Sequence, residues 1–409
     1  MKPAAPATDT PEVQAQLQVF QRGVVDLIER RELSERIARS LSTKKPLRIK
    51  FGMDPSSPDL HVGHCVPLFK LRDLQQLGHQ IVLIVGDSTA MVGDPSGRNK
   101  LRPQLTRAEV ETNLQTYVEQ VAKVLDLSKT EVRRNSEWFD AMRFEDVLRL
   151  TGKMTVARML ERDTFQKRVQ ENEPIGIHEF LYPLMQGWDS VMIKCDLELG
   201  GTDQLFNLLR GRDLQAGEGQ PGQVCFTLPL INGLDGRKMS KSYGNAIALN
   251  DSAKEMFGKV MSIPDEVLGD WFTLLTRLPK SEIDTLLAGG FREAKARLGE
   301  EIAGSFHGRE AGKAAREAFD RQFRDKELPS DIPELAYPAG APEGGWMLPN
   351  FLKELKLAAS TSDARRLIEQ GAVRLDGAAV KDAKHVVTPM GMVLLVQAGK
   401  LKFARVKRG

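Results

Sequence analysis

A chain of 409 residues is too long for one compact core, so two or three domains are expected. Hydrophobic residues at 41% and charged residues at 28% are globular proportions and argue against a disordered chain. Three widely spaced cysteines, Cys65, Cys195 and Cys225, with no Cys-x-x-Cys, support neither a disulfide framework nor a cysteine-built zinc site. The Pro- and Ala-rich start, residues 1–10, does not read as a signal peptide. The longest apolar stretch, Ile81 to Val85, is far too short to span a membrane, and a soluble cytoplasmic protein is expected.

From Pro11 to Leu41, apolar residues at helical spacing (Val24, Leu27, Ile28, Ile37, Leu41) predict one or two helices. Leu47 to Phe51 reads as a strand, followed by a turn-rich loop with Pro55 and Pro58, a helix from about His61 to Leu77, and an apolar strand over Gln80 to Val85. Strand, helix, strand at this spacing is a βαβ unit and implies a parallel sheet. A Gly- and Pro-rich loop, 91–103, precedes Thr106-Arg107-Ala108-Glu109, a capping box opening a helix to about Leu125. A third strand falls at Val132 to Arg134. Helical patterns follow at Phe144 to Leu150, Val156 to Val169 and Ile177 to Trp188, with further strands at Asp196 to Leu199 and Val224 to Ile231 flanking a helix over Thr202 to Gln215. The alternation predicts a doubly wound, Rossmann-like α/β domain over residues 1–250.

Residues 251–332 read as all-helical. Pro333, Pro338, Gly340, Pro342, Gly344 and Gly345 then predict a linker over 333–347. Residues 348–409 read as a small α+β domain with 12 Lys and Arg against 5 Asp and Glu, a net charge of +7, against −4 for the rest of the chain. A small basic domain on a slightly acidic body fits a nucleic-acid partner or a solvated charged surface.

Two constellations carry chemistry. His61-Val62-Gly63-His64 follows a strand and opens a helix, where free N–H groups and the macrodipole attract phosphate. Imidazoles at i and i+3 share one face there and add donors; a metal pair or two surface histidines are the plainer readings. Lys238-Met239-Ser240-Lys241-Ser242 sits in a loop after the Val224 to Ile231 strand, where two lysines three apart can wrap a polyphosphate or form an ordinary basic loop. Between them, Tyr182, Gln186 and Asp189 lie at i, i+4 and i+7, on one helix face. Core packing explains a Tyr in that place, but an Asp and a Gln on the same face need partners, and a bound ligand would supply them.

Both motifs in this order resemble the HIGH and KMSKS signatures of class I aminoacyl-tRNA synthetases, with Val62 in place of the usual Ile. Tyr182-x-x-x-Gln186-x-x-Asp189 resembles the tyrosine-binding helix of the tyrosyl-tRNA synthetase family. There Tyr and Gln hold the substrate ammonium and the Asp accepts from the phenol. Gly200-Gly201-Thr202-Asp203-Gln204 resembles the family's ribose-binding GGSDQ segment, and Gly93-Asp94-Pro95-Ser96-Gly97 its GDPSG loop, whose Asp also holds the ammonium. Arg98 and Arg102 stand where the family places mobile cations for pyrophosphate, and Asp54-Pro55-Ser56 matches a DPT segment beside the nucleotide. Many members carry a Tyr four residues before that Asp; here the position is Lys50. Residues 363–369 and 373–377 resemble an S4-type RNA-binding domain, and the likeness runs from about residue 20 to the end.

The resemblance implies a tyrosine–tRNA ligase that uses ATP with Mg²⁺, binds tRNA(Tyr) partly through the helical segment, and forms a homodimer. It assigns His61, His64, Lys238, Lys241, Arg98 and Arg102 to catalysis. Asp94, Tyr182, Gln186, Asp189 and Gln204 would bind tyrosine. Asp54, Ser56, His61, Gly63, His64, Gly200, Gly201, Asp203 and Lys238 to Lys241 would bind ATP. A tryptophan–tRNA ligase shares the two signatures, and an inactive S4-type RNA-binding protein is the non-enzymatic alternative. A nicotinamide-type Rossmann enzyme requires a G-x-G-x-x-G after the first strand, and none follows it here.

Overall fold

The computed structural model describes residues 8–55, 60–96, 105–323, 332–389, 391, 393–399 and 402–407, with Lys241 and Phe323 described for their backbones alone. The chain forms two compact units, residues 1–319 and 320–409.

The first unit is built on a six-stranded sheet. Its strands are β1 (Leu27–Ile28), β2 (Arg48–Met53), β3 (Gln80–Val85), β4 (Thr130–Arg134), β5 (Leu197–Gly201) and β6 (Val224–Leu228), in the order β1-β6-β5-β2-β3-β4. All neighbours are parallel except β1, which runs antiparallel along β6. The chain leaves β2 toward β3 and β4 on one side, then crosses to β5 and β6 on the other. The switch point lies between β2 and β5, and in open α/β sheets ligands bind in the crevice outside the strand carboxyl ends there. Helices cover both faces, so β3 and β6 are near-continuous apolar runs, and β3 is buried over five of its six residues.

Local chemistry sets the helix limits. Thr10 caps α1 (Pro11–Gln21) with Pro at its first position, and Gly23, at φ +69°, turns the chain out of the helix toward β1. The stretch 11–41, expected to hold one or two helices, is therefore α1, β1 and α2 (Arg30–Thr43). The histidine motif opens α3 (Val62–Gln76). The Thr106–Glu109 capping box opens α4 (Arg107–Val121), with Thr106 N donating to Glu109 Oε2 at 2.8 Å. The helix expected over 156–169 breaks into Val156–Met159 and Asp163–Gln170. The one expected from Ile177 begins as a 3₁₀ turn before α5 (Leu181–Met192), which packs on α6 (Leu205–Gly217).

Residues 253–323 form helices joined by short turns, with no strand: α7 (Ala253–Val260), α8 (Leu268–Leu275), α9 (Lys280–Ala288), α10 (Phe291–His307) and α11 (Arg309–Phe323). Trp271, Phe272, Leu298 and Ile302 from this stretch join the same apolar core as Ile49, Leu71 and Phe226, so the helices and the α/β body are one packing unit. The boundary expected at 250/251 divides secondary-structure types rather than cores.

The second unit has its own core around Leu348, Phe351, Ile368, Val396 and Val406. A five-stranded sheet, ordered β10-β9-β12-β13-β7, comprises β7 (Glu334–Ala336), β9 (Val373–Leu375), β10 (Ala378–Ala379), β12 (Val393–Ala398) and β13 (Lys402–Lys407). A second pair joins β8 (Trp346–Met347) to β11 (Val386–Val387), with α12 (Leu348–Glu354) and α13 (Thr361–Glu369) packed together. The stretch expected as a linker over 333–347 is thus part of the folded unit. Its apolar residues decide this: Leu335, Tyr337 and Trp346 pack on the core, and Tyr337 OH donates to the Val387 carbonyl at 2.5 Å.

Candidate active site

The strand ends at the switch point place Asp54 just after β2. Its Oδ1 accepts from Thr89 Oγ1 at 2.8 Å and its Oδ2 from Tyr182 OH at 2.8 Å. Gly86, just after β3, makes this possible: a Cβ there would overlap both Asp54 Oδ1 and Thr89 Oγ1. Tyr182 therefore does more than pack. Its phenol joins the α5 helix to the loop that carries the Asp-Pro-Ser segment.

Asp94 lies on the next loop. Ser96 N and Oγ donate to it at 2.8 and 2.5 Å, Gln204 Nε2 donates at 3.0 Å, and Arg162 Nη2 approaches at 3.5 Å. Gln204 Oε1 accepts from Asn207 Nδ2 at 2.8 Å, and the same amide donates to Gln186 Oε1 at 3.0 Å. Gln186 Nε2 continues to Glu198 Oε1 at 3.1 Å. The result is one chain of side chains, Asp94–Gln204–Asn207–Gln186–Glu198, running along the cleft under α5 and α6. Tyr182, Gln186 and Asp189 all reach back toward the sheet, as their spacing predicts, but each meets a different element: Asp54 just after β2, Glu198 within β5, and Trp138 in the segment after β4.

Asp189 is 3% exposed and accepts from Trp138 Nε1 at 3.0 Å. Burial pushes its pKa up to about 7, against the pull of the Lys50 charge and of hydrogen bonds from Trp138 and Asn135. Lys50 is buried too. Its ammonium pairs with Glu198 at 3.0 Å and donates to the Gln186 carbonyl at 2.6 Å and to Ser190 Oγ at 2.8 Å. Burial works against the Lys50 charge, but Glu198 and Asp189 hold its pKa above the ordinary lysine value.

The two signature loops meet at the other end of the cleft. The His61 and His64 rings stack at 3.7 Å, and His61 N donates to His64 Nδ1 at 3.2 Å. Gly63 N lies 3.3 Å from Met239 Sδ, so the second motif sits against the first turn of the helix that the first motif opens. Asn245, itself buried, holds the Lys238-to-Ser242 loop: its Oδ1 accepts from Ser240 N at 2.8 Å and its Nδ2 donates to the Lys238 carbonyl at 3.2 Å and to Asp235 at 2.6 Å. Asp203 faces this loop. Lost hydration raises its pKa, against the pull of the Lys238 charge. Gly200 admits the helix that follows it, since a Cβ would press at 3.0 Å on Gln204 and Leu208.

Ser56, Arg98 and Arg102 lie outside the described residues, as does the Lys241 side chain. Of the other expected site residues, the structure brings together Asp54 with Tyr182, Asp94 with Gln204, and His61, Gly63 and His64 with Met239. Sequence reasoning missed Thr89, Trp138, Arg162, Glu198 and Asn207. Glu198 carried a signal, because a lone carboxylate between Leu197 and Leu199 in a buried strand requires a partner. Arg162 is 4% exposed between the rings of Phe165 and Phe206, and nothing in its local pattern marked it.

Comparison with known proteins agrees with this geometry. Residues 42–324 match the family described as tRNA synthetases class I (W and Y), and residues 348–393 match the S4 domain. The tyrosine–tRNA ligase of Symbiobacterium thermophilum is 51% identical over 402 residues, covering 96% of this chain and 98% of that one. That of Thermotoga maritima is 49% identical over 409 residues, covering 98% of each. A C-terminally truncated mitochondrial tyrosyl-tRNA synthetase from Aspergillus nidulans shares the fold at a TM-score of 0.62, with 24% identity, covering 76% of this chain and 99% of its own. The family match over residues 42–324, on this largely parallel sheet, makes the chain a class I tRNA synthetase. Within that class, the chain belongs to the tyrosine–tRNA ligase family, with an S4 domain at its C-terminal end.

Proposed function

We propose that this cleft activates L-tyrosine with ATP and passes it to the 3′ end of tRNA(Tyr). The observation that carries the reading is the continuous chain from Asp94 to Glu198, with Asp189 on the same helix as Gln186, together with the His61 and Lys238 loops that meet at Gly63 and Met239. In the first step a tyrosine carboxylate oxygen attacks the α-phosphorus of ATP. A P–O bond forms, the bond to the β-phosphate oxygen breaks, and pyrophosphate leaves. In the second step a ribose hydroxyl of the terminal tRNA nucleotide attacks the adenylate carbonyl, giving the ester and AMP.

Asp94, Tyr182, Gln186 and Gln204 are assigned to the amino-acid end and Asp189 to the phenol. A site built to hydrogen-bond a hydroxyl is left unpaired by an analogue lacking it, of which this enzyme family is itself the usual illustration. Asp54, Ser56, Gly63, Gly200, Gly201, Asp203, Met239 and Ser240 are assigned to the nucleotide. His61, His64, Lys238 and Lys241, with Arg98 and Arg102, would stabilise charge developing on the phosphates; catalysis is positioning and electrostatics, with no covalent enzyme intermediate. Mg²⁺ arrives with the ATP as part of the substrate.

The helical stretch 251–332 and the basic residues 348–409 are assigned to tRNA binding, and the working form to a cytoplasmic homodimer. On the second unit Arg365, Arg374, Lys384 and Arg405 are exposed, which fits a phosphate backbone. Amino-acid-dependent ATP–pyrophosphate exchange tests the reading: tyrosine is expected to support exchange, and exchange with tryptophan alone would overturn it.

A further inference from the structure

The ion pair beneath the cleft has no part in the chemistry assigned so far. The parallel register of β2 against β5 sets Lys50 opposite Glu198. The two side chains are 0% and 1% exposed. Removing two charges from water costs several kcal/mol per ion, so a buried pair is weak evidence of a stabilising role. Its partners point elsewhere. Glu198 accepts from Lys50, Gln186, Ser190 and Gln223, and Lys50 donates to the Gln186 carbonyl and to Ser190 Oγ. Every one of these groups except Gln223 sits on β2, β5 or the α5 turn that carries both Gln186 and Asp189.

We propose that Lys50 is a specificity-determining positioning residue: its ammonium fixes the α5 turn and is the counter-charge that keeps buried Asp189 able to accept the substrate phenol. This rests on the reading of Asp189 given above. The groups facing Asp189 support it. Lys50 from β2 favours the ionised carboxylate, and Glu198 from β5 opposes it. Trp138 and Asn135, from the segment after β4, favour it as hydrogen-bond donors. Cys195, which follows α5, is buried and its thiol pKa is raised, so it adds no charge. Lys50 is the one cation in this set. Taking it away leaves Asp189 with two neutral donors and a like charge, and a protonated Asp189 no longer accepts a hydrogen bond with a full charge behind it.

The test is the pH dependence of tyrosine kcat/KM in ATP–pyrophosphate exchange, with the tyrosine-to-phenylalanine ratio measured alongside, for wild type, Lys50→Met, Lys50→Met/Glu198→Gln and Asp189→Asn. For wild type, kcat/KM should rise with pH through about 7 as Asp189 ionises. In Lys50→Met the midpoint should move up by ~1 pH unit or more, and the tyrosine preference should fall roughly tenfold near neutral pH. The double variant removes both members of the ion pair, so Glu198 is not left buried without its cation, which protects folding, and its midpoint should lie between the other two because the Glu198 repulsion is gone as well. If both Lys50 variants lose activity evenly at all pH values and keep the wild-type preference, Lys50 is structural and the proposal fails. If Asp189→Asn keeps the wild-type preference, the reading of Asp189 fails instead, and the proposal with it.

Discussion

Asp189 shows how one residue can be legible in sequence while its physics is not. The i, i+4, i+7 spacing placed it with Tyr182 and Gln186, and the structure keeps all three on the sheet-facing side of one helix. What the spacing could not give is the cost of burying a carboxylate there, because Trp138 and Lys50 come from elements far away in the chain and Glu198 from the strand that follows. The same holds for Asp94. Its loop was readable, but the Gln204 and Arg162 contacts depend on tertiary packing. Asp189→Ala removes the proposed phenol acceptor and leaves the Trp138 indole unpaired. A lost hydrogen bond to a charged group is worth about 1.5–3 kcal/mol, so the tyrosine-over-phenylalanine ratio of kcat/KM should fall by at least about tenfold. Melting curves would check that the fold survives, and an unchanged ratio would remove Asp189 from substrate selection.

At the scale of elements, the regular pieces with strong periodicity and caps were the most readable: β3, α3 and α4 fall within a few residues of their expected ends. Two-residue β1 and the strands in 333–347 were not, since pairing with distant β6, β11 and β13 creates them and local pattern does not. His79 belongs to the turn entering β3 and was not singled out. It is 5% exposed, lies 5.4 Å from the Phe20 ring, and accepts from Leu47 N at 3.4 Å. Burial pushes its pKa down to about 4 from the ordinary 6.5. The unfolded chain therefore takes up a proton first as pH falls, so stability contributed by neutral His79 is full above about 6.5 and is lost progressively toward 4. That interval corresponds to on the order of 3 kcal/mol. Chemical denaturation of wild type between pH 7 and 4.5 should show a loss that His79→Phe lacks; parallel curves for the two proteins would contradict this.

For the whole molecule, sequence composition marked the basic tail, and the structure gives it a separate core. The domain boundary was harder to place. Helices 253–307 share the catalytic core, and only packing reveals that. Division of labour follows from the two cores. A chain ending at residue 319 keeps every described residue of the cleft, so it should retain tyrosine-dependent exchange while tRNA charging drops and loses much of its salt sensitivity. Equal loss of both steps on truncation would show that the second unit also supports the cleft.

The central claim is that one cleft selects tyrosine and activates it with ATP. The most direct measurement is ATP–pyrophosphate exchange on the full chain with each of the twenty amino acids in turn. Exchange with tyrosine and background rates with the other nineteen is the predicted result. Exchange driven by tryptophan, or by no amino acid at all, would contradict it and leave the fold and the nucleotide end of the cleft without the substrate assigned to them.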